Sequence, residues 1–74
     1  MAKKEKLKLN RLRIVLAERS RTNRWLAEQL KVTEGTVSKW STNSHQPPLE
    51  TLYSISLLFK IDIHDLIEST LSKK

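Results

Sequence analysis

A short segment near the middle of the chain concentrates side chains that donate and accept hydrogen bonds on one side of a helix. Between Glu34 and Trp40 the sequence reads EGTVSKW. Val37 and Trp40 are three residues apart, which places both on one apolar helical face. The other positions are small or polar and should face outward: Glu34, Gly35, Thr36, Ser38 and Lys39. This face is suited to contacting a polar, charged surface, and it holds no nucleophile–base pair for covalent chemistry.

Two short helices joined by a tight turn are expected to position this face. Thr22 and Thr33 each precede a helical pattern, where a hydroxyl can accept a hydrogen bond from an unpaired first-turn amide. The two helices span about residues 23–30 and 34–40, and Ala27 is small enough to let them cross closely. This pattern predicts a helix-turn-helix, whose second helix projects far enough to enter a DNA major groove.

The segment also resembles a known family. The sequence TNRWLAEQLKVTEGTVSKW, followed by PPLETLYSISLLFKIDIHDLI, is similar to phage-repressor (XRE, lambda-repressor-like) helix-turn-helix domains, and the resemblance covers about residues 9–67. It implies an all-α, compact five-helix DNA-binding domain with the helix-turn-helix at helices two and three. The function it implies is a sequence-specific, double-stranded DNA-binding transcriptional regulator, and the short chain suggests a stand-alone repressor.

By this resemblance, the exposed face of the second motif helix reads bases. Lys39 can donate to guanine O6 and N7, and Glu34 can accept from the N4 amino group of cytosine. Glu34 keeps a second interpretation, because an acid in the first turn stabilises a helix without DNA. Gly35 has no side chain to read a base and would instead allow close approach. The predicted base-reading residues are Glu34, Gly35, Thr36, Ser38 and Lys39.

A second set of polar residues is predicted to contact phosphates. Asn23, where the family usually has Gln, can donate its amide at the start of the second helix. Residues 42–45 follow the recognition helix, where side chains and free amides can bind phosphate or simply form a turn. The full predicted set is Arg11, Asn23, Arg24, Thr33, Thr42, Asn43, Ser44 and His45.

The sequence pattern of the rest of the chain predicts further helices and no β-strand. We expect a first helix at about residues 9–20, a fourth starting at Pro48, and a short fifth capped by Asp62. Their predicted inner faces are Leu9, Leu12, Val15, Leu16 and the Arg19 stem; Leu49, Leu52, Ile55, Ser56 and Phe59; and Ile63, Leu66 and Ile67. Residues 1–8 are predicted to be a basic disordered arm, 9–70 the DNA-binding domain and 71–74 a frayed tail.

Several further positions depart from the family pattern. Lys31 stands where the turn usually has Gly, so a positive φ would be strained or the turn would differ. Leu16 and Ser41 replace both partners of an Arg–Glu ion pair, so an apolar contact can take its place. Trp25 replaces a polar surface residue and should pack beside the N-terminal arm or stack near the DNA backbone.

An apolar patch is predicted near the C-terminal helices. Leu57 is usually polar in the family, and with Tyr53, Ile61 and Leu71 it would form a partner surface; alternatively it completes the core. A two-fold homodimer would set two recognition helices about 34 Å apart on DNA. The alternative function is an antitoxin or other module that binds a protein partner through the same domain.

Composition limits the remaining classes of function. The net charge is +6, and the surplus lies in residues 1–24, which suits a polyanionic partner or a solubilising tail. The chain has no cysteine, and His45 and His64 lack ligand spacing, so we expect no metal and no cofactor. No catalytic residues, small-molecule ligand or membrane contact are predicted, so the chain is not expected to be an enzyme. We expect a cytoplasmic protein that is nucleoid-associated when bound.

Overall fold

Four α-helices and one 3₁₀ turn form the part of the chain that the computed structural model describes, residues 7–69. The helices are α1 (Leu12–Glu18), α2 (Asn23–Leu30), α3 (Glu34–Ser41) and α4 (Leu49–Phe59), and the 3₁₀ turn is Ile63–Leu66. The prediction of an all-α fold is confirmed. Most of the predicted arm, the predicted tail and Leu71 lie outside the described residues.

The helix-turn-helix is built by α2 and α3, and both predicted caps are present. The Thr22 hydroxyl accepts from the Trp25 amide at 3.0 Å, and the Thr33 hydroxyl accepts from the Thr36 amide at 3.1 Å. Lys31 ends α2 in the left-handed conformation, with φ 60° and ψ 43°. The turn therefore keeps the geometry that usually favours glycine, although a lysine occupies it.

Each helix contributes apolar side chains to one core. The buried hydrophobic residues are Leu12, Val15, Leu16, Leu26, Ala27, Val37, Trp40, Leu52, Ile55, Phe59 and Leu66. Burying a leucine or isoleucine side chain stabilises a fold by about 1.5–3 kcal/mol. The core therefore fixes α3 through Val37 and Trp40 and leaves its opposite face free.

The predicted fifth helix is not confirmed, because a long-range pairing limits its segment to one turn. Asp62 caps the turn, and Ile67 then returns to an extended conformation, with φ −126° and ψ 154°. Asn10 and Ile67 form an isolated antiparallel bridge. Around it, the Arg11 amide donates to the Leu66 carbonyl at 2.8 Å and the Glu68 amide to the Leu9 carbonyl at 2.9 Å. A longer helix would remove this pairing.

Several predicted helix ends and inner positions are wrong. α1 begins at Leu12 because the Asn10 side chain accepts from the Leu12 amide at 3.0 Å, which leaves Leu9 outside the helix and exposed. The helix ends before Ser20, whose φ is 56°, so the Arg19 stem is exposed as well. The other two incorrectly placed side chains, both exposed, are Leu49 and Ile67.

Two of the unusual positions are accommodated by packing. Trp25 packs on Phe59 of α4, with ring centroids 5.7 Å apart. Its packing partner is therefore α4, whereas most of the predicted partner, the N-terminal arm, lies outside the described residues. Leu16 and Ser41 are both buried, and the Ser41 hydroxyl donates to the Ser38 carbonyl at 3.1 Å. Since neither side chain is charged, replacing the ion pair leaves no buried unpaired charge.

Candidate nucleic-acid interface

The outward side of α3 carries all five residues predicted to read bases. Glu34, Gly35 and Lys39 are exposed, whereas Thr36 and Ser38 are half-buried. The Thr36 hydroxyl lies 2.8 Å from the Thr33 hydroxyl, so this pair is already hydrogen-bonded at the start of the helix. The least encumbered polar groups on this face are therefore the carboxylate of Glu34 and the ammonium group of Lys39.

Two surface depressions flank α3 and gather predicted residues that are far apart in sequence. The first, of about 400 Å³, lies between α1 and α3 and brings Asn23 together with Thr42. The second, of about 290 Å³, lies on the other side of α3 and brings Thr36, Lys39 and His45 together. Residues predicted to read bases and residues predicted to contact phosphate thus meet at the edges of one projecting helix.

The loop after α3 is folded back onto the helix, and its backbone amides are not free. The Thr42 amide donates to Ser38, the Asn43 amide to Trp40, and the Ser44 and His45 amides both donate to the Lys39 carbonyl, at 2.9 and 3.2 Å. The expectation that free amides here bind phosphate is therefore wrong. The Thr42, Ser44 and His45 side chains are exposed and remain candidates for phosphate contact.

Asn43 links the loop after α3 to the segment before α1, a role that was not predicted from the sequence. Its side-chain oxygen accepts from the amides of Leu9 and Asn10 and from Gln46 Nε2, and its Nδ2 donates to the Asn10 carbonyl at 3.3 Å. Every polar atom of this side chain is thus occupied within the chain. Only the second N–H of Nδ2 is left for a phosphate contact by Asn43.

Asn10 is the buried partner of Asn43, and the sequence analysis missed it. Its Nδ2 donates to the Trp40 carbonyl at 2.9 Å and to Gln46 Oε1 at 2.7 Å, while its side-chain oxygen accepts from the Leu12 amide two residues on, where α1 begins. The available signal was the tendency of an asparagine side chain to hydrogen-bond the backbone amide two residues on, in an Asx turn. That signal was lost because the helix was expected to begin at Leu9.

The remaining phosphate candidates differ in how free they are. Arg11 donates to the Asp65 carbonyl at 3.0 Å, and Arg24 pairs with Glu28 across 3.6 Å on the surface of α2. Such an exposed pair is weak and exchanges readily for a phosphate partner. Thr33 is exposed, but its hydroxyl serves as the α3 cap.

An exposed apolar stripe runs along α4. Leu49, Tyr53 and Leu57 follow each other at four-residue intervals, and their exposed fractions are 72%, 58% and 59%. Leu57 therefore does not complete the core. Of the other residues predicted for this patch, Ile61 is partly buried against the core and Leu71 is not described.

The described residues contain neither a candidate metal site nor a helix that could span a membrane. Within residues 7–69, no three His, Cys, Asp or Glu side chains are grouped so that they could hold a metal ion. None of the helices there has the length and apolar character needed to cross a bilayer.

Comparison with known proteins identifies the motif. The model of the Cro/C1-type helix-turn-helix DNA-binding domain matches residues 11–70. A crystal structure of a Bacteroides fragilis protein to which DNA binding is attributed superposes with a TM-score of 0.79. The two sequences are 48% identical, and the match covers 81% of this chain and 97% of that one. No curated protein matches the sequence.

Proposed function

Because the chain belongs to the Cro/C1-type helix-turn-helix DNA-binding family, we propose that it is a sequence-specific transcriptional regulator. It binds double-stranded DNA by inserting α3 into the major groove. The observation that carries this proposal is the exposed polar face of α3, which projects between two depressions while Val37 and Trp40 anchor the opposite face in the core. Such a regulator would act in the cytoplasm, on the nucleoid.

Lys39 is the residue proposed to read sequence most directly. Its ammonium group is exposed near the end of α3, where it can donate to the O6 and N7 acceptors of guanine. Glu34 sits at the other end of the helix and can accept from cytosine, although it also favours the helix N-terminus electrostatically. The phosphate contacts beside them set the orientation of the helix on the duplex.

Selection from a random duplex library, followed by binding titrations of the enriched sequence, tests this function. Lys39→Ala should cost about 1–3 kcal/mol of binding free energy and relax preference at one base pair. Arg19→Ala removes the same charge from an exposed site away from α3 and is the matched control. An equal loss on all sequences would remove Lys39 from base reading, and a library without enrichment would contradict sequence-specific binding.

We further propose that the protein acts as a repressor that binds its operator as a two-fold homodimer, with the α4 stripe of Leu49, Tyr53 and Leu57 covered by a second copy. An inverted repeat with half-sites about 10 base pairs apart should then be enriched. Leu57→Glu should restrict binding to one half-site, whereas Ser54→Glu, also exposed on α4, should not. Repression of a reporter placed downstream of the enriched site tests the direction of control.

The same stripe also supports the alternative that the domain is an antitoxin or another protein-binding module. A neighbouring reading frame that encodes a toxin would favour it. The decisive outcome is neutralisation of that toxin by the unmodified chain and loss of neutralisation in Leu57→Glu. If the toxin stays active in the presence of the unmodified chain as well as of Leu57→Glu, a second copy of the chain remains the proposed occupant of the stripe.

A further inference from the structure

We propose that Arg13 is the centre of a basic track along α1 that holds the sugar–phosphate backbone of one DNA strand. Arg13 is not among the residues predicted to contact DNA, and the track extends the proposed interface from α3 towards the segment before α1. The inference rests on the proposed function, because its ligand is the same duplex.

The track consists of two depressions that share a wall. The first is the depression of about 400 Å³ between α1 and α3, which Arg13 lines together with Arg21 and Asn23. The second, of about 440 Å³, continues on the other side of Arg13 and is lined by Lys8 and Arg11. Both depressions share Arg13, Ser41 and Thr42, so they form one continuous surface with Arg13 at the junction.

The charges along this track have mostly one sign. Four basic side chains line it, namely Lys8, Arg11, Arg13 and Arg21, against one acid, Glu68. The shared wall is neutral, because Ser41 and Thr42 carry hydroxyl groups. A surface of this kind attracts a polyanion and repels an acidic protein segment.

The basic groups differ in how they are held. The Arg13 side chain makes no hydrogen bond or ion pair within residues 7–69, so its guanidinium group is available to a ligand. The Arg21 guanidinium carbon lies 4.5 Å from the centroid of the Trp25 ring, a cation–π contact that orients the group. The Arg11 side chain is tied to Asp65. Contact between Arg13 and a ligand therefore disturbs nothing else in the fold.

The geometry of guanidinium groups favours a phosphate over a base edge here. A guanidinium group binds two oxygens of one phosphate through parallel N–H bonds. The track lies on α1 and on the loop after α3, beside the recognition helix, where a protein meets the backbone that borders the groove. Backbone contacts carry no sequence information, so the track should add affinity equally to all duplexes.

Three glutamine variants test the track. Each protein is titrated with the library-selected duplex and with a scrambled duplex over a series of salt concentrations. Arg13→Gln should reduce the slope of log affinity against log salt by about one on both duplexes. Glu68→Gln removes the opposing charge and should raise affinity by about two- to fivefold, which misfolding cannot imitate. Arg19→Gln, a charge-matched change away from the track, should leave the slope unchanged.

Arg13→Lys checks that the charge is the operative feature, since it should keep the slope while losing the bidentate geometry. An Arg13→Gln slope equal to that of Arg19→Gln, or an unchanged affinity for Glu68→Gln, would overturn the track. These results are separate from the proposed function. If the unmodified chain binds both duplexes equally, sequence-specific regulation fails while the slope change for Arg13→Gln still supports the track.

Discussion

The side-chain oxygen of Asn43 accepts hydrogen bonds from the backbone amides of both Leu9 and Asn10, at 2.9 and 3.0 Å. In return, Asn10 donates to the Trp40 carbonyl near the end of α3. With Gln46 these two residues form an asparagine clasp between the segment before α1 and the loop after α3. The clasp therefore fixes the start of α1 relative to the recognition helix.

Asn10→Ala tests the contribution of the clasp to stability. The change leaves the Leu12 amide without its partner at a buried site and removes one of the two hydrogen bonds to the Trp40 carbonyl, so the free energy of unfolding should fall by about 1–3 kcal/mol. Urea denaturation measures this loss. Asn23→Ala is the matched control and should change stability by less than about 0.5 kcal/mol. Equal losses in both variants would show that the clasp does not stabilise the fold.

Gly35→Ala should raise stability and lower DNA affinity. An added Cβ meets only the Thr33 hydroxyl at 4.0 Å, and alanine favours a helix by up to about 1 kcal/mol over glycine. The methyl group would nevertheless project from the side of α3 that is proposed to face the bases. The free energy of unfolding should therefore rise in urea titrations, while the affinity for DNA falls in binding titrations. Ser54→Ala on α4 should raise stability slightly without changing affinity, and unchanged affinity in Gly35→Ala would mean that the helix does not approach DNA closely there.

Lys31→Gly should stabilise the domain by about 0.5–1 kcal/mol, since a left-handed backbone is strained for lysine and unstrained for glycine. Thermal or urea unfolding would detect this gain. Lys39→Gly should instead lower the stability, because in the right-handed backbone of the last turn of α3 glycine is less favourable than lysine by up to about 1 kcal/mol. A loss of stability in Lys31→Gly would mean that the lysine side chain contributes more than its backbone strain costs.

Acid should remove the contribution of the Asp62 cap. Hydrogen bonds from the backbone amide of His64 and from its ring, both 2.9 Å, lower the pKa of Asp62 below its ordinary 3.8. A lowered pKa in the folded state adds stability above pH 3.8 that is lost as the pH falls through the folded value. The stability difference between the unmodified chain and Asp62→Asn should therefore narrow in acid. NMR titration of the carboxyl carbon checks the pKa, and a value above 3.8 would contradict this account.

The helix-turn-helix could be predicted because its determinants are local. Thr22 and Thr33 cap their helices within three residues of the amides they bind. The burial of Val37 and Trp40 follows from helical spacing alone. Caps and helical spacing involve residues only a few positions apart, so they can be recognised in a single sequence. α2 and α3 could therefore be placed without knowledge of the rest of the fold.

The errors arose where distant segments decide the conformation. Ile67 is extended because it pairs with Asn10, and no local sequence pattern near residue 67 predicts that pairing. Asn43 looked like a surface turn residue, since its partners are 33 and 34 positions earlier in the chain. Arg13 was not among the predicted contacts, because its place between two depressions depends on how α1 lies against α3.

The pairing of the segment before α1 with the segment after the 3₁₀ turn makes the fold suitable for circular permutation. Leu9 and Glu68 are joined through their backbones at 2.9 Å, so a short linker between residues 8 and 69 can connect them without displacing a helix. New ends can open between Ser20 and Arg21, an exposed connection between α1 and α2. In such a permuted chain α1 would follow α4 in sequence, but the core and the asparagine clasp would be retained. The helices would then pack in the same way although their order along the chain has changed.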